Sequence, residues 1–170
     1  PWWNNFGDFK YTNTEELNSD SSFFDPEGTT PSFVNYVEGI YVGYKFYETA
    51  ADEGLINYDD EVVFPFGYGL SYTSFTKEMS GITNDGTNLN FTVTVTNTGS
   101  VAGKDVVEIY SDPPYTNGGI EKSSANLLDF AKTSELAPGE SQTIEFSIPV
   151  EDLASYDYQT NGCYVLEAGD

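Results

Sequence analysis

The chain has 170 residues, enough for one large domain or for a domain with part of another. Its 28 acidic residues face six lysines, with no arginine and no histidine. That balance excludes a cationic stripe for nucleic acid, a His-based general base, a His-ligated metal and a guanidinium clamp, and it disfavours anionic membranes. The acids are spread evenly, with residues 1–63 and 64–170 each coming to −11, so the plain reading is a solubilising surface. Thirteen Tyr, twelve Phe and two Trp supply the aromatic surface for a core. Cys163 is the single cysteine, which rules out an intrachain disulfide and is expected to be buried, as in a reducing compartment or a protein that does without disulfides. No apolar run is long enough to span a membrane, and the opening Pro1-Trp2-Trp3-Asn4-Asn5-Phe6 lacks the regions of a signal peptide.

Residues 1–32 carry Asn, Asp, Ser, Thr, Gly and Pro with aromatics at no period, and read as an extended loop, most polar over Thr12 to Pro31. From Phe33 to Ala50 the chain turns apolar and aromatic. Tyr36, Ile40, Tyr44 and Tyr47 recur at helical spacing, predicting a short helix over about 42–50, entered through a Gly-containing bend and ended by Asp52-Glu53-Gly54. A loop then leads to Phe64.

Beyond residue 72 the signals are all β. A first strand falls near Tyr72–Ile82. In Leu89–Val95 the odd positions are apolar and the even ones polar, and Asn97-Thr98-Gly99 marks a turn. Val106–Tyr110 is apolar on both faces and is expected to be central. Leu127, Leu128 and Phe130 make another strand. After the turn Ala137-Pro138-Gly139-Glu140, Ile144, Phe146 and Ile148 alternate with polar neighbours. Tyr156 and Tyr158 are expected to pair with Tyr164 and Leu166 across a tight turn at Thr160-Asn161-Gly162. Six short strands with regular turns predict a mainly β fold, a fibronectin type III-like (immunoglobulin-like) β-sandwich that lacks its last strand, preceded by a loop-and-short-helix tail.

Five ordered motifs carry a resemblance. They are Val37-Glu38-Gly39-Ile40-Tyr41-Val42-Gly43-Tyr44-Lys45-Phe46-Tyr47-Glu48-Thr49, Phe64-Pro65-Phe66-Gly67-Tyr68-Gly69-Leu70-Ser71-Tyr72-Thr73, Val95-Thr96-Asn97-Thr98-Gly99-Ser100-Val101-Ala102-Gly103-Lys104-Asp105-Val106-Val107, Leu136-Ala137-Pro138-Gly139-Glu140-Ser141, and Asp152-Leu153-Ala154-Ser155-Tyr156-Asp157. Together they resemble the C-terminal signature of glycoside hydrolase family 3 β-glucosidases. The resemblance implies a multidomain retaining glycosidase acting on terminal β-D-glucosyl residues, built from a (β/α)8 barrel, an α/β sandwich and a fibronectin type III-like domain. Residues 1–70 would be the C-terminal portion of the α/β sandwich domain with its long polar loop. Residues 71–170 would be the fibronectin type III-like domain, truncated at its C-terminus. The Glu38–Tyr44 motif favours glucosidase over xylosidase specificity.

The family's mechanism needs two carboxylates about 5–5.5 Å apart. The resemblance implies that the nucleophile, an Asp, lies on the barrel and that the acid/base Glu lies upstream of Glu38. Glu38 itself is then a structural carboxylate, no residue of this chain is catalytic, and the isolated chain is expected to be inert. No cofactor or metal is expected. The implied partners are the remaining domains or chain of the same glycosidase and, through the whole enzyme, a β-glucoside or oligosaccharide. Nucleic acid and membrane are excluded, and the compartment is either the cytoplasm or the outside of a bacterial cell.

Individual residues carry two readings each. Trp2 and Trp3 are the candidates for stacking on a sugar ring, against the plainer alternative that they pack the loop on its own domain. Phe64, Phe66, Tyr68 and Tyr72, with Gly67 and Gly69 between them, are expected to form an interdomain packing seam, because glycine beside a ring allows close approach. Tyr41, Tyr44 and Tyr47 read as helix-to-sheet packing. Asp59-Asp60-Glu61 lacks the spacing of a calcium loop and reads as solvated. Asn90-Phe91-Thr92 fits a glycosylation sequon but falls mid-strand. A free-standing carbohydrate-binding or adhesion module remains the alternative function.

Overall fold

A computed structural model describes residues 39–168. Trp2, Trp3, Glu38 and the polar loop 12–31 lie outside the described residues. The chain divides into two compact units, Pro1–Gly43 and Tyr44–Asp170, and the second contains the elements that follow.

Helix α1 runs over Tyr44–Asp52, two residues later than its periodicity suggests. Gly43 has φ +65°, a left-handed conformation that cannot open a helix, so the first turn forms after it. The C-terminus closes as the acidic-Gly signal predicts. Gly54 sits at φ +68°, its N–H donates to Ala51 O (2.9 Å) and the Leu55 N–H to Ala50 O (2.8 Å), the double bond of a Schellman ending. A one-turn helix, α2 (Tyr58–Glu61), interrupts the expected loop and contains the Asp59-Asp60-Glu61 cluster.

The sandwich follows. Strands β1 (Phe75–Met79) and β2 (Thr83–Asn84) lie along one edge of β3 (Asn88–Asn97), and β6 (Ser141–Pro149) pairs along the other, all antiparallel. Strand β4 (Val106–Ser111) pairs with β5 (Asn126–Lys132), and a short hairpin joins β7 (Ser155–Asp157) to β8 (Cys163–Val165). The two-residue alternation of β3 does the work expected of it. Phe91, Val93 and Val95 turn inward and meet Phe146 and Ile148 of β6 and Val107 of β4. Each such burial contributes on the order of 1.5–3 kcal/mol. Phe91 and Phe146 are direct cross-strand partners, their rings stacked at 5.5 Å. On the outer face Thr94 meets Thr143 (Oγ1 to Oγ1, 3.0 Å) and Thr96 meets Ser141 (2.7 Å), so the polar half of the pattern is paired as well.

Three expectations need correction. Strand β4 is not central: among the described residues it pairs with β5 alone. Its second face is only partly covered: Tyr110 lies edge-on to Tyr44 of α1 at 6.1 Å and keeps 39% of its surface exposed. An apolar residue on each face does not require that both edges be paired. In the last hairpin Tyr156 does face Tyr164, but Asp157 pairs with Cys163 across a five-residue loop that leaves Tyr158 and Leu166 outside the strands. The turn is wide because the Asp157 carboxylate collects the backbone amides of Gln159, Thr160 and Asn161. Cys163, expected to be buried, is exposed, since this hairpin contributes no residue to the buried core cluster.

Candidate functional site

The segment from Phe64 to Phe75 was marked by sequence as a seam, and its geometry splits it in two. In the first half, the Tyr68 N–H donates to Pro65 O (3.1 Å) and Gly67 adopts φ +78°, as the third residue of a turn that requires a left-handed conformation there. The turn folds Phe66 back onto Tyr44 of α1 (ring centroids 4.5 Å, 23° between planes) and sets Phe64 against Tyr68 (4.9 Å). Gly67 also has a steric role, because a Cβ there would stand 2.6 Å from Glu108 Oε1. The other Glu108 oxygen accepts the Tyr110 hydroxyl at 2.9 Å. Burial, reinforced by that hydrogen bond and by the negative charge of Glu108, pushes the Tyr110 phenol well above its ordinary range.

Helix α1 is fixed to the same end of the sandwich by backbone donors. The Leu127 N–H donates to the Tyr44 hydroxyl (3.0 Å) and the Ser124 N–H to Thr49 Oγ1 (3.0 Å). The Tyr58 hydroxyl of α2 donates to Glu48 Oε1 (2.5 Å), and burial together with that bond pushes its pKa up to about 12. The raised Tyr58 and Tyr110 phenols stay protonated across the physiological range and act as donors and packing surface.

The second half of the segment is the anchor. Asn97, at the end of β3, is completely buried, and every polar group it carries is used. Its Nδ2 donates to Val101 O and Leu136 O (2.8 Å each), and its Oδ1 accepts from Thr73 Oγ1 (2.6 Å) and the Gly99 N–H (3.0 Å). Its backbone N–H donates to Glu140 O (3.0 Å) and its carbonyl accepts from the Gly139 N–H (2.8 Å). Gly139, at φ +80°, holds the third position of the Pro138-Gly139 turn that presents those groups. Thr73 reaches Asn97 only because two glycines leave room. A Cβ on Gly99 would fall on Thr73 Oγ1 and within 2.8 Å of Ser74 N, and one on Gly103 would stand 2.8 Å from Thr73 Cγ2. Neither glycine has a positive φ, so space alone is what they supply.

The expected seam residues thus lie in one stretch, and the structure distinguishes among them. Phe64 and Tyr72 are 66% and 97% exposed, and Phe66 and Tyr68 each keep about half their surface in solvent at 52%. Gly67 makes a close approach, whereas among the described residues nothing stands within 4 Å of a Cβ on Gly69. The contacts on Thr73 belong instead to Gly99 and Gly103. Sequence reasoning read Asn97 only as a turn marker; the signal that could have found it is a polar residue in an inward-facing register, two positions after Val95. Among the described residues no group of three or more His, Cys, Asp or Glu is placed to hold a metal. No helix of these residues is long and apolar enough to cross a membrane.

Comparison with known proteins adds the family. Residues 105–170 match the fibronectin type III-like domain family. A β-glucosidase of Ruminococcus albus is 44% identical over 123 residues, covering 72% of this chain and 12% of its own length. A β-glucosidase of Rhizobium radiobacter is 40% identical over 80% of this chain and 16% of its own. Among solved structures, β-glucosidase 3B of Thermotoga neapolitana in complex with glucose superposes with a TM-score of 0.68 at 38% identity, over 91% of this chain and 20% of that one. The chain matches a segment of the family 3 β-glucosidases. It spans less than a fifth of the length of the curated relatives named above, and the stretch it shares with these β-glucosidases includes their fibronectin type III-like domain. The Thr73–Asn97 anchor and the rings before it are therefore features of a sandwich carried within a longer β-glucosidase sequence.

Proposed function

We propose that this chain is a non-catalytic, structural portion of a family 3 β-glucosidase, which hydrolyses terminal β-D-glucosyl residues by a retaining mechanism with both catalytic carboxylates in domains outside these 170 residues. In this reading residues 1–70 end an α/β sandwich domain, residues 71–170 form the fibronectin type III-like domain, and the rings of Phe64, Phe66, Tyr68 and Tyr72 pack against the rest of the enzyme. The observation that carries it is the pairing of a solvent-facing aromatic row with a saturated anchor immediately behind it. Rings that gained nothing from burial elsewhere would be an odd run to leave contiguous on the surface. The anchor holds that row in a fixed place on the sandwich, which suits a face that must meet a preformed partner surface.

The substrate is reached through the whole enzyme, and Trp2 and Trp3 are its candidate contributors from this chain. The test compares two purified proteins on an aryl β-glucoside. The 170-residue chain alone is expected to release no aryl alcohol, while the enzyme encoded by the complete reading frame does. Turnover by the isolated chain would overturn the assignment of catalysis to other domains.

A further inference from the structure

The sequence contains two Asn-Gly pairs, Asn117-Gly118 and Asn161-Gly162, and the fold treats them oppositely. An asparagine before glycine is the pair most open to self-cyclisation, since no side chain shields the following amide nitrogen. We propose that Asn117 is a site of spontaneous, site-selective modification, converted through a succinimide to aspartate and isoaspartate, whereas Asn161 is protected by the fold.

Asn117 sits at the tip of the loop 112–125 between β4 and β5, in a turn closed by the Gly119 N–H donating to Thr116 O (2.8 Å). Residues 114–119 are all exposed, and among the described residues nothing stands within 4 Å of a Cβ on Gly118, so nothing crowds the residue after Asn117. Among the described residues no hydrogen bond holds the Asn117 side chain or the Gly118 N–H. The loop's base is tied down by the buried Lys122, whose Nζ donates to Pro114 O and to the Glu167 carboxylate. The freedom therefore belongs to the tip alone.

At the second pair each reacting group is engaged. Asn161 Nδ2 donates to Asp157 Oδ2 (2.7 Å), the Asn161 N–H to the same oxygen (3.2 Å), and the Gly162 N–H to Asp157 O (2.8 Å). The attacking nitrogen cannot be freed without breaking the loop, and a carboxylate beside it opposes the anion that cyclisation must form.

The step balances with water as the only co-reactant. The Gly118 nitrogen loses its proton to solvent base and bonds to Asn117 Cγ. The Cγ–Nδ2 bond breaks and the nitrogen leaves as ammonia. Water then opens the ring at either carbonyl. One unit of negative charge is added to the loop, and the isoaspartate product also carries an extra backbone methylene.

The experiment incubates the folded 170-residue chain in mildly alkaline buffer and follows both sites by peptide mass mapping, beside the same chain in denaturant. In the folded chain Asn117 is expected to deamidate about tenfold faster or more than Asn161, because the held site must open locally first. In denaturant the two rates are expected to converge. Comparable rates in the folded chain, or an Asn117 that deamidates much more slowly folded than unfolded, would overturn the proposal. Asn117→Gln is expected to remove the fast signal, which fixes its assignment.

Discussion

Residues 63–72 and the two that follow them are neighbours in sequence and opposites in environment. Before Thr73 the chain carries six large apolar or aromatic side chains that each keep at least half of their surface in solvent. At Thr73 and Ser74 it enters a lattice of hydrogen bonds in which a completely buried asparagine is shared by the linker, the end of β3, the loop beyond it and the turn at Pro138-Gly139. The difference teaches that a motif that looks uniform in sequence contains two devices. One attaches the linker to its own sandwich; the other offers a surface that this sandwich does not cover.

Substitutions can break that comparison from the anchor side first. Asn97→Asp keeps the size of the side chain but replaces its two donors by acceptors facing the Val101 and Leu136 carbonyls, and buries a charge with no cation beside it. It is expected to destabilise the chain by about 3–5 kcal/mol, measured by urea unfolding. Gly103→Ala forces a methyl into Thr73 Cγ2 and the Phe75 ring, and is expected to cost about 1–3 kcal/mol in the same measurement. Thr73→Val preserves the shape and removes one bond to Asn97, with an expected loss of about 1–2 kcal/mol.

Acid supplies a graded perturbation of two other turns. The Asn88 N–H, with the Thr87 N–H and Asn90 Nδ2, holds the Asp85 carboxyl below its ordinary value. The Thr160 N–H, with the amides of Asn161 and Gln159, outweighs burial and does the same for Asp157. A depressed carboxyl contributes stability that is fully present above the unfolded-state value of about 3.9 and is lost as pH falls through the folded value. Stability should therefore decline below about pH 4, and Asp85→Asn should flatten part of that decline. The smallest expected effect belongs to Gly69→Ala. Space around that glycine is open and its φ is not positive, so the change should stay within about 0.5 kcal/mol of zero. A large loss there would mean that the exposed stretch is structurally constrained after all.

Much of the sandwich was legible because its strands obey simple rules. The alternation of Leu89–Val95 and of Ile144–Ile148 gives both the strands and their inward faces, and Pro138-Gly139 and Gly54 mark their turn and cap directly. What escaped depends on contacts between distant residues. No local pattern announces that Gly99 and Gly103 make room for Thr73, some 25 to 30 positions earlier, since their φ values are ordinary and only the volume is special. Strand β4 misled because the ring on its second face, Tyr110, meets Tyr44 of a helix far upstream and stays partly exposed, with no second strand beside it among the described residues. Cys163 misled because cysteine is usually buried, whereas its hairpin stands off the core. The role of Gly67 was half visible: the ring-glycine pattern suggests a close approach, but not that the neighbour is the Glu108 carboxylate.

The central claim is that the aromatic row is held out for a partner surface while the anchor behind it serves the sandwich itself. Tyr72 tests it most directly, because its ring is 97% exposed and sits next to Thr73. The measurement is the thermal unfolding midpoint of Tyr72→Ala, taken in the isolated 170-residue chain and in the complete enzyme. The midpoint is expected to be unchanged in the isolated chain and lowered in the enzyme. A lowered midpoint in the isolated chain, or no change in the enzyme, would contradict the account.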